Sequence, residues 1–119
     1  VVVGKDNEIV STGYNSFARG INDEVDERQL RPEKYFWFEH AERNAIYNAA
    51  RIGVSTLGTT MYMTCGMSCS DCARAIINSG ISKIVLRKGK GAKGDKWNES
   101  SIRSIQMFKE AGVIVEYYD

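Results

Sequence analysis

The sequence predicts an α/β fold, a three-layer α/β/α sandwich built around a mixed sheet of about five strands. Strand-like and helix-like segments alternate along the chain in the order β-β-α-β-α-β-α-β, which favours helices packed on a sheet. Hydrophobic residues make up 43% of the 119 residues, enough for a substantial core. The length suits one domain, and no repeat, linker or shift in composition marks a second. We therefore expect a single domain over residues 1–119.

Two short strands and a long connection are expected before the first helix. Val1–Val3 and Ile9–Ser11 are β-type stretches around a turn-forming Gly-Lys-Asp-Asn cluster, which is the pattern of an antiparallel hairpin. Residues 13–39 follow without a clear period and are rich in charge, so we expect an irregular loop there. Loops of this length in small domains are more often functional than idle.

Three helices and three strands are predicted in the rest of the chain. Apolar residues at helical spacing run from Ala41 to Ile52 and stop at Gly53, which predicts the first helix. The remaining elements are a strand over Thr59–Thr64, a helix over Ser70–Asn78, a strand over Lys83–Arg87, a Gly- and Lys-rich loop over Lys88–Lys96, a helix over Ser100–Ala111 and a strand over Val113–Tyr118. The helix-linked strands are expected to be parallel.

Charge and cysteine content exclude several classes of protein. The formal net charge is +1, too small for a protein that coats DNA or RNA through many phosphate contacts, although it suits a ligand with one phosphate. No stretch approaches the roughly 20 apolar residues of a membrane span. Three cysteines cannot all pair within one chain, which disfavours a disulfide-stapled secreted scaffold. We therefore expect a cytoplasmic protein.

The rare residue types that bind metals lie at two predicted helix starts. His40 precedes the first helix, and Cys69 and Cys72 open the second. Residues three apart share a helix face, and a helix start favours the thiolate form that binds metal. If both helices begin at the same edge of the sheet, His40, Cys69 and Cys72 supply three ligands to one zinc ion. Three protein ligands leave a position for water, which is the catalytic arrangement.

Glu42 stands two residues after His40, close enough to reach a water on such a zinc ion without binding the metal itself. Zinc lowers the pKa of its bound water to about 7. A neighbouring carboxylate can then accept the proton and pass it to a leaving group. The sequence thus predicts Glu42 as the residue that moves protons.

Cys65 leaves a second interpretation open. Together with His40, Cys69 and Cys72 it would complete a site of three cysteines and one histidine, in which zinc is structural and the domain is a non-catalytic interaction module. Cys65 follows the end of a predicted strand, where we expect it to pack as a small buried side chain instead.

His40-Ala41-Glu42 followed by Cys69-x-x-Cys72 resembles the zinc-binding pattern of the cytidine/deoxycytidylate deaminase superfamily. Other stretches are similar to its deoxycytidylate deaminase branch, namely Ser11–Asn15 with Arg19-Gly20 after it, His40–Ile46 and Asp71–Ile76. The element order also matches over nearly the whole chain, except that the family has a helix before the first strand. We therefore expect that the natural protein begins earlier. Ser68 departs from the family, which usually has proline before the first cysteine.

The resemblance implies a cofactor, a site and a reaction. Zinc is held by His40, Cys69 and Cys72, and Glu42 shuttles protons. The implied substrate contacts are the backbone N–H of Ala41 to the pyrimidine carbonyl, the side chain of Asn15 to the sugar or phosphate, and Arg19 to the phosphate. The reaction is hydrolytic deamination of a cytosine nucleotide, with dCMP to dUMP and ammonia as the leading case.

Other members of the superfamily keep some alternatives open at this point. The substrate can be another base, a nucleoside or adenosine in tRNA, although the weak positive charge speaks against tRNA. Some phage-type members hold a second zinc with His and Cys residues of the long loop. Residues 13–39 contain neither residue type here, so we expect one zinc ion per chain. Self-association is common in the superfamily, and we expect a homo-oligomer without membrane or nucleic-acid partners.

Overall fold

A computed structural model describes residues 1–88 and 98–119 of the chain. The predicted Lys88–Lys96 loop beyond Lys88, and Trp97 after it, lie outside the described residues. The strands are β1 (Val2–Val3), β2 (Ile9–Ser11), β3 (Ser16–Phe17), β4 (Phe38–Glu39), β5 (Thr60–Tyr62), β6 (Lys83–Arg87) and β7 (Ile114–Tyr118). The α-helices are α1 (Lys34–Trp37), α2 (Ala41–Ile52), α3 (Ser70–Asn78) and α4 (Glu99–Ala111), and a 3-10 helix covers Asp26–Gln29.

A mixed five-stranded sheet forms the centre of the fold, in the strand order β2-β1-β5-β6-β7. Strand β1 pairs antiparallel with both β2 and β5. Strands β5, β6 and β7 are parallel, and each crossover between them contains a helix because parallel neighbours cannot be joined by a tight turn. The predicted α/β class, the mixed sheet and the parallel pairing of the helix-linked strands are confirmed.

One buried core joins the sheet to the three long helices. Val2, Met61 and Ile84 are in register across β1, β5 and β6 and are almost fully buried. They form one cluster with side chains from all three helices, namely Ala45, Ala73, Ile76 and Phe108. Helices α3 and α4 pack side by side, as expected when consecutive right-handed crossovers advance in one direction along a sheet. The described residues thus supply the sheet and one helical layer of the expected sandwich.

The helices begin and end at residues whose backbone conformation suits those positions. His40 and Cys69, both extended, occupy the N-cap positions of α2 and α3. Helix α2 ends at Gly53, whose φ of 77° lies in the left-handed region that glycine adopts without strain. The predicted bounds of α2 and α3 are confirmed. Among the described residues, every helix is too short or too polar to span a bilayer.

The expectation of an irregular loop over residues 13–39 is wrong in part. Strands β3 and β4 form a second, two-stranded antiparallel sheet, in which the rings of Phe17 and Phe38 lie 4.4 Å apart. The 3-10 helix and α1 connect these strands, and the Arg28 guanidinium covers the Trp37 ring at 4.0 Å. Strands of two residues are too short to show alternation, so the sequence pattern carried no signal for them. This small unit ends directly before His40 and fixes how the chain enters α2.

Candidate metal centre and active site

Three metal-binding side chains converge where α2 and α3 begin. The Nδ1 atom of His40 lies 3.5 Å from the Cys69 sulfur and 3.3 Å from the Cys72 sulfur. All three donor atoms lie within 4.8 Å of one another. The structure thus brings together the three residues predicted as ligands, although His40 is 29 and 32 residues from the cysteines in the chain.

The spacing and chemistry of these donors fit zinc. Tetrahedral zinc, with bonds of about 2.3 Å to sulfur and 2.0–2.1 Å to nitrogen, separates an S and an N ligand by roughly 3.6 Å. The measured S–N distances are close to this value. Imidazole and thiolate are ligands of zinc, whereas calcium and magnesium prefer oxygen. Three protein ligands leave a fourth tetrahedral position, so the donor set suits a catalytic site.

The two thiols share one hydrogen bond, which separates their pKa values. The Cys72 thiol donates to the Cys69 sulfur, and this bond, helped by the Cys72 backbone N–H and by His40, lowers the pKa of Cys69 to about 5. The same bond and burial raise the pKa of Cys72, and the Glu42 carboxylate adds to the rise. Cys69 therefore favours the thiolate at neutral pH, which is the form that binds a metal.

Glu42 lies in the first turn of α2, beside the thiols. The residue is 8% exposed, and its carboxylate is near enough to the Cys72 sulfur to contribute, after the Cys69 hydrogen bond and burial, to the raised pKa of that thiol. Glu42 is not one of the three donors of the metal-binding group. A buried carboxylate that stands beside the donors without belonging to them is suited to proton transfer rather than to metal binding.

Two contacts without a sequence signal fasten the helix starts to each other. Ser100, in the first turn of α4, accepts a hydrogen bond from the Ser70 backbone N–H at 2.7 Å and ties α4 to the start of α3. Arg43 of α2 forms salt bridges with Glu39 and, across to α3, with Asp71. Both contacts depend on how the helices pack, which local residue patterns do not reveal.

Cys65 does not join the metal-binding group. Among the described residues that group consists of His40, Cys69 and Cys72. Cys65 lies in the bend after β5 and is exposed, so the expectation that it packs as a small buried side chain is wrong. Partial burial of its sulfur, followed by the charge of Glu42, raises the pKa of this thiol. The geometry therefore disfavours a structural site with four protein ligands.

Replacing Cys65 with serine is expected to leave metal binding and activity within about twofold of the unchanged chain, since exposed substitutions usually change stability by less than about 0.5 kcal/mol. The exchange affects a sulfur outside the ligand group. Zinc per chain is measured by elemental analysis after dialysis, together with ammonia release from the cytosine nucleotide that the resemblance implies. Loss of zinc from Cys65→Ser would instead support the closed structural site.

Asn15 and Ala41, two of the predicted substrate contacts, touch each other in the structure. The Ala41 backbone N–H donates to Asn15 Oδ1 at 2.8 Å. This contact places the Asn15 side chain at the start of α2, adjacent to His40. Asn15 Oδ1 already accepts this hydrogen bond, so Asn15 Nδ2 is the group that can donate to an oxygen of a bound nucleotide. A pyrimidine carbonyl would share the Ala41 N–H with Asn15 or replace it, and both roles stay predictions.

Arg19 lies away from the ligand cluster. Its guanidinium donates to Asn48 Oδ1, eight residues along α2 from His40, which is roughly 12 Å along the helix axis. Arg19 and Asn48 line a cleft of about 510 Å³ between residues 14–23 and the outer face of α2. The three ligands and Glu42 are not among the residues that line this cleft. The structure does not bring Arg19 to the metal centre, and its contact with phosphate stays a prediction.

Three zinc-type donors, one fewer than a structural site uses, together with a buried acid beside them suit hydrolytic deamination of a nucleobase better than a structural role. Comparison with known families agrees with this class, since residues 1–88 match the family described as the cytidine and deoxycytidylate deaminase zinc-binding region. The chain belongs to this family. The predicted resemblance and the predicted class of enzyme, a hydrolytic deaminase, are confirmed.

Individual relatives resemble the chain over most of its length. An uncharacterized deaminase in the luxG 3' region of Aliivibrio fischeri is 36% identical over 118 residues, which are 98% of this chain and 76% of that protein. Human deoxycytidylate deaminase is 32% identical over 117 residues, which are 94% of this chain. The chain spans 62% of the human protein, less than two thirds of its length.

A solved structure shares the fold. It is the crystal structure of dCMP deaminase from the cyanophage S-TIM5 in complex with dCMP and dUMP. The TM-score is 0.75 at 24% sequence identity, and the alignment covers 99% of this chain and 78% of the other. The predicted fold class therefore agrees with that of a known dCMP deaminase.

Proposed function

We propose that this chain deaminates dCMP to dUMP and ammonia, with a zinc ion held by His40, Cys69 and Cys72. The observation that carries the proposal is the convergence of these three donors next to the buried Glu42. Membership of the deaminase family supports the reaction. Similarity to the human deoxycytidylate deaminase supports the substrate.

Glu42 carries the proton transfers of the proposed reaction. A zinc ion held by His40, Cys69 and Cys72 would polarise a water molecule and so make it a nucleophile towards C4 of the cytosine ring. Glu42 accepts the proton that the attacking water releases and hands it to ring N3. It then takes the proton of the new C4 hydroxyl and delivers it to the exocyclic amine, which leaves as ammonia. The oxygen stays on C4 as a carbonyl, and the uracil nucleotide results.

The start of α2 and the segment before β3 supply the proposed substrate contacts. The Ala41 N–H donates to the pyrimidine carbonyl, and Asn15 Nδ2 donates to an oxygen of the sugar or phosphate. Arg19 exchanges its hydrogen bond with Asn48 for one with the phosphate. A free nucleotide has no base stack to break, so the chain needs no machinery for base flipping.

The remaining parts of the proposal are a single domain over residues 1–119, self-association and a cytoplasmic location. A net charge of +1 suits one phosphate and disfavours tRNA, whose binding takes many cationic contacts. Another base or a nucleoside is the alternative within the superfamily. A non-catalytic zinc module is the alternative from another class, and the position of Cys65 outside the ligand group weighs against it.

Ammonia release from a panel of substrates tests the proposal. The panel contains cytosine, guanine and adenine nucleosides, their mono-, di- and triphosphates, and tRNA. We expect the zinc-loaded chain to release ammonia fastest from dCMP. Faster release from another compound would reassign the substrate. No release from any compound, with one zinc ion bound per chain, would indicate the non-catalytic module.

Replacing Arg19 with alanine is expected to raise the KM for dCMP by about ten- to a hundredfold, because a hydrogen bond between two charged groups is lost. The KM for deoxycytidine, which has no phosphate, is expected to stay the same. Arg19→Lys is the matched variant, since it keeps the charge and should retain part of the affinity. Steady-state kinetics with both substrates decide, and an equal effect on the two would remove Arg19 as the phosphate partner.

A further inference from the structure

Helix α2 carries two asparagines that hold the segment between β2 and β3 along the helix. Asn48 Nδ2 donates to the Thr12 carbonyl at 2.7 Å. One turn earlier, Asn44 Nδ2 donates to the Tyr14 carbonyl at 2.8 Å and to Ser16 Oγ at 3.1 Å. The segment therefore runs antiparallel to α2, advancing two residues for each helical turn that it passes.

The spacing of these contacts follows from backbone geometry. Asn44 and Asn48 are four residues apart, which is about 6 Å along the helix axis. Alternate residues of an extended chain are about 6.6–6.8 Å apart, and their carbonyls point the same way. The distance between two asparagines one turn apart is therefore close to the distance between the carbonyls of Thr12 and Tyr14, so each asparagine can donate to one of them. A shift of the segment by one residue would turn both carbonyls away from the asparagines.

Gly13 leaves the segment no room to adjust. A Cβ atom at this position would come within 3.0 Å of backbone atoms of both Ala41 and Ala45, so the segment lies directly against the helix backbone. The buried Ser11 hydroxyl adds a hydrogen bond to the Ala45 carbonyl at 2.8 Å. These contacts and the two asparagines all specify the same register.

That register decides where Asn15 lies. Asn15 follows Tyr14 directly, and it reaches the start of α2, where its Oδ1 accepts from the Ala41 N–H. His40, the nitrogen ligand of the metal-binding group, is the residue before Ala41. A displaced segment would therefore move Asn15 away from the metal centre without altering any ligand.

We propose that Asn44 and Asn48 are positioning residues, which fix the register of the segment on α2 and so hold Asn15 at the metal centre for nucleotide binding. Asn48 also accepts from Arg19 through its Oδ1. Asn15 and Arg19, which are proposed to contact the sugar or phosphate, are thus both held in place by Asn44 and Asn48. The effect on nucleotide binding rests on the proposed function, whereas the register itself does not.

Aspartate substitutions test the pair. Asn44→Asp and Asn48→Asp keep the size of the side chain and remove its N–H donor, so neither can donate to its backbone carbonyl. In the zinc-loaded chain each is expected to raise the KM for dCMP by about three- to tenfold, the effect of losing the one neutral hydrogen bond to the backbone carbonyl, with kcat and zinc content unchanged. Gln106→Glu, the same amide-to-acid change at an exposed position of α4, is the control and should change none of these values.

Amide hydrogen exchange measured by NMR tests the register without a substrate. The Ala41 N–H is held by Asn15, so we expect it to exchange faster in both zinc-loaded aspartate variants. The amide of Ile76, a fully buried residue of α3, should exchange as before. Exchange at Ala41 does not depend on whether dCMP is the substrate. Unchanged exchange would therefore contradict the proposed register, whereas an inactive chain with faster exchange would contradict only the proposed function.

An unchanged KM and unchanged exchange at Ala41 in folded, zinc-loaded variants would overturn the proposal. A fall in kcat or zinc content with KM unchanged would overturn it as well, because the asparagines would then act on the metal centre itself. Where an aspartate variant does not fold, the alanine variant at that position is used instead, since it removes the donor without adding a charge. The KM, kcat, zinc content and exchange at Ala41 of that variant then test the proposal.

Discussion

Exchange of Glu42 for glutamine is expected to slow deamination by about 10²- to 10⁴-fold, the usual contribution of a positioned acid–base group. Glutamine has nearly the shape of glutamate but cannot accept a proton and pass it on at neutral pH. Glu42 is outside the group of three donors, so zinc should stay bound. Nucleotide should also bind, since the proposed binding contacts come from other residues.

The placement of Glu42 explains why the expected loss is large. The residue is buried in the first turn of α2, and bulk water has little access to replace it as a proton carrier. In the part of the chain that the structure describes, Glu39 and Asp71 also stand at these helix starts, and both form salt bridges with Arg43. Neither is placed to take over the transfer.

Three measurements separate the role of Glu42 from general damage to the site. They are ammonia release at saturating dCMP, zinc per chain, and the Kd for dCMP. Glu110→Gln, the same change at an exposed position of α4, is the control and should leave all three unchanged. Near-normal turnover by Glu42→Gln would refute the assigned mechanism, and loss of zinc would move Glu42 into the ligand set.

The convergence of His40, Cys69 and Cys72 could be predicted because helix starts can be recognised from local sequence. Cys69 and Cys72 are three residues apart at the start of α3, and the position of His40 before α2 follows from the apolar stripe of that helix. One further assumption was needed, that both helices begin at the same edge of the sheet, and the S–N distances of 3.5 and 3.3 Å confirm it. The exposure of Cys65 was not predictable, since it depends on the direction in which the chain leaves β5.

The substrate side of the site was harder to predict, because it depends on register rather than on composition. Asn44 and Asn48 border the apolar stripe of α2 and are half-buried, and residue type alone does not separate a polar side chain packed there from one that faces water. Their hydrogen bonds join residues 30 and 36 apart in the sequence, so they depend on how the segment after β2 packs on α2. In the same way, the pairing of β3 with β4 joins residues 16 and 39, which no local pattern connects.

Exchange of Cys72 for serine is expected to remove zinc and reduce deamination to background. A serine hydroxyl is a much weaker zinc ligand than a thiolate. Changes to residues that merely orient metal ligands lower affinity by about 10- to 100-fold, and loss of a ligand should exceed this. Cys72 is fully buried, and the other two donors alone cannot enclose the ion. Zinc per chain after dialysis and ammonia release from dCMP measure the two effects.

Thermal stability provides a second readout for Cys72. A metal that binds the folded chain alone stabilises it by about 4 kcal/mol at a thousandfold excess over its Kd. A chelator should therefore lower the Tm of the unchanged chain, whereas the Tm of Cys72→Ser should not respond. A buried hydroxyl can lower the Tm by itself, but it does so with and without chelator. The change in Tm on adding chelator thus tests whether Cys72 binds the metal, independently of the cost of burying a hydroxyl group.

Cys65→Ser and Cys72→Ser make the same chemical change seven residues apart, and together they decide what kind of zinc site this is. An open catalytic site requires that Cys72→Ser loses both zinc and the response to chelator, while Cys65→Ser keeps both. Loss from both variants would show that four protein ligands close the site, which leaves no position for the attacking water. Loss from neither would place the metal elsewhere, and Glu42 would then have no activated water from which to take a proton.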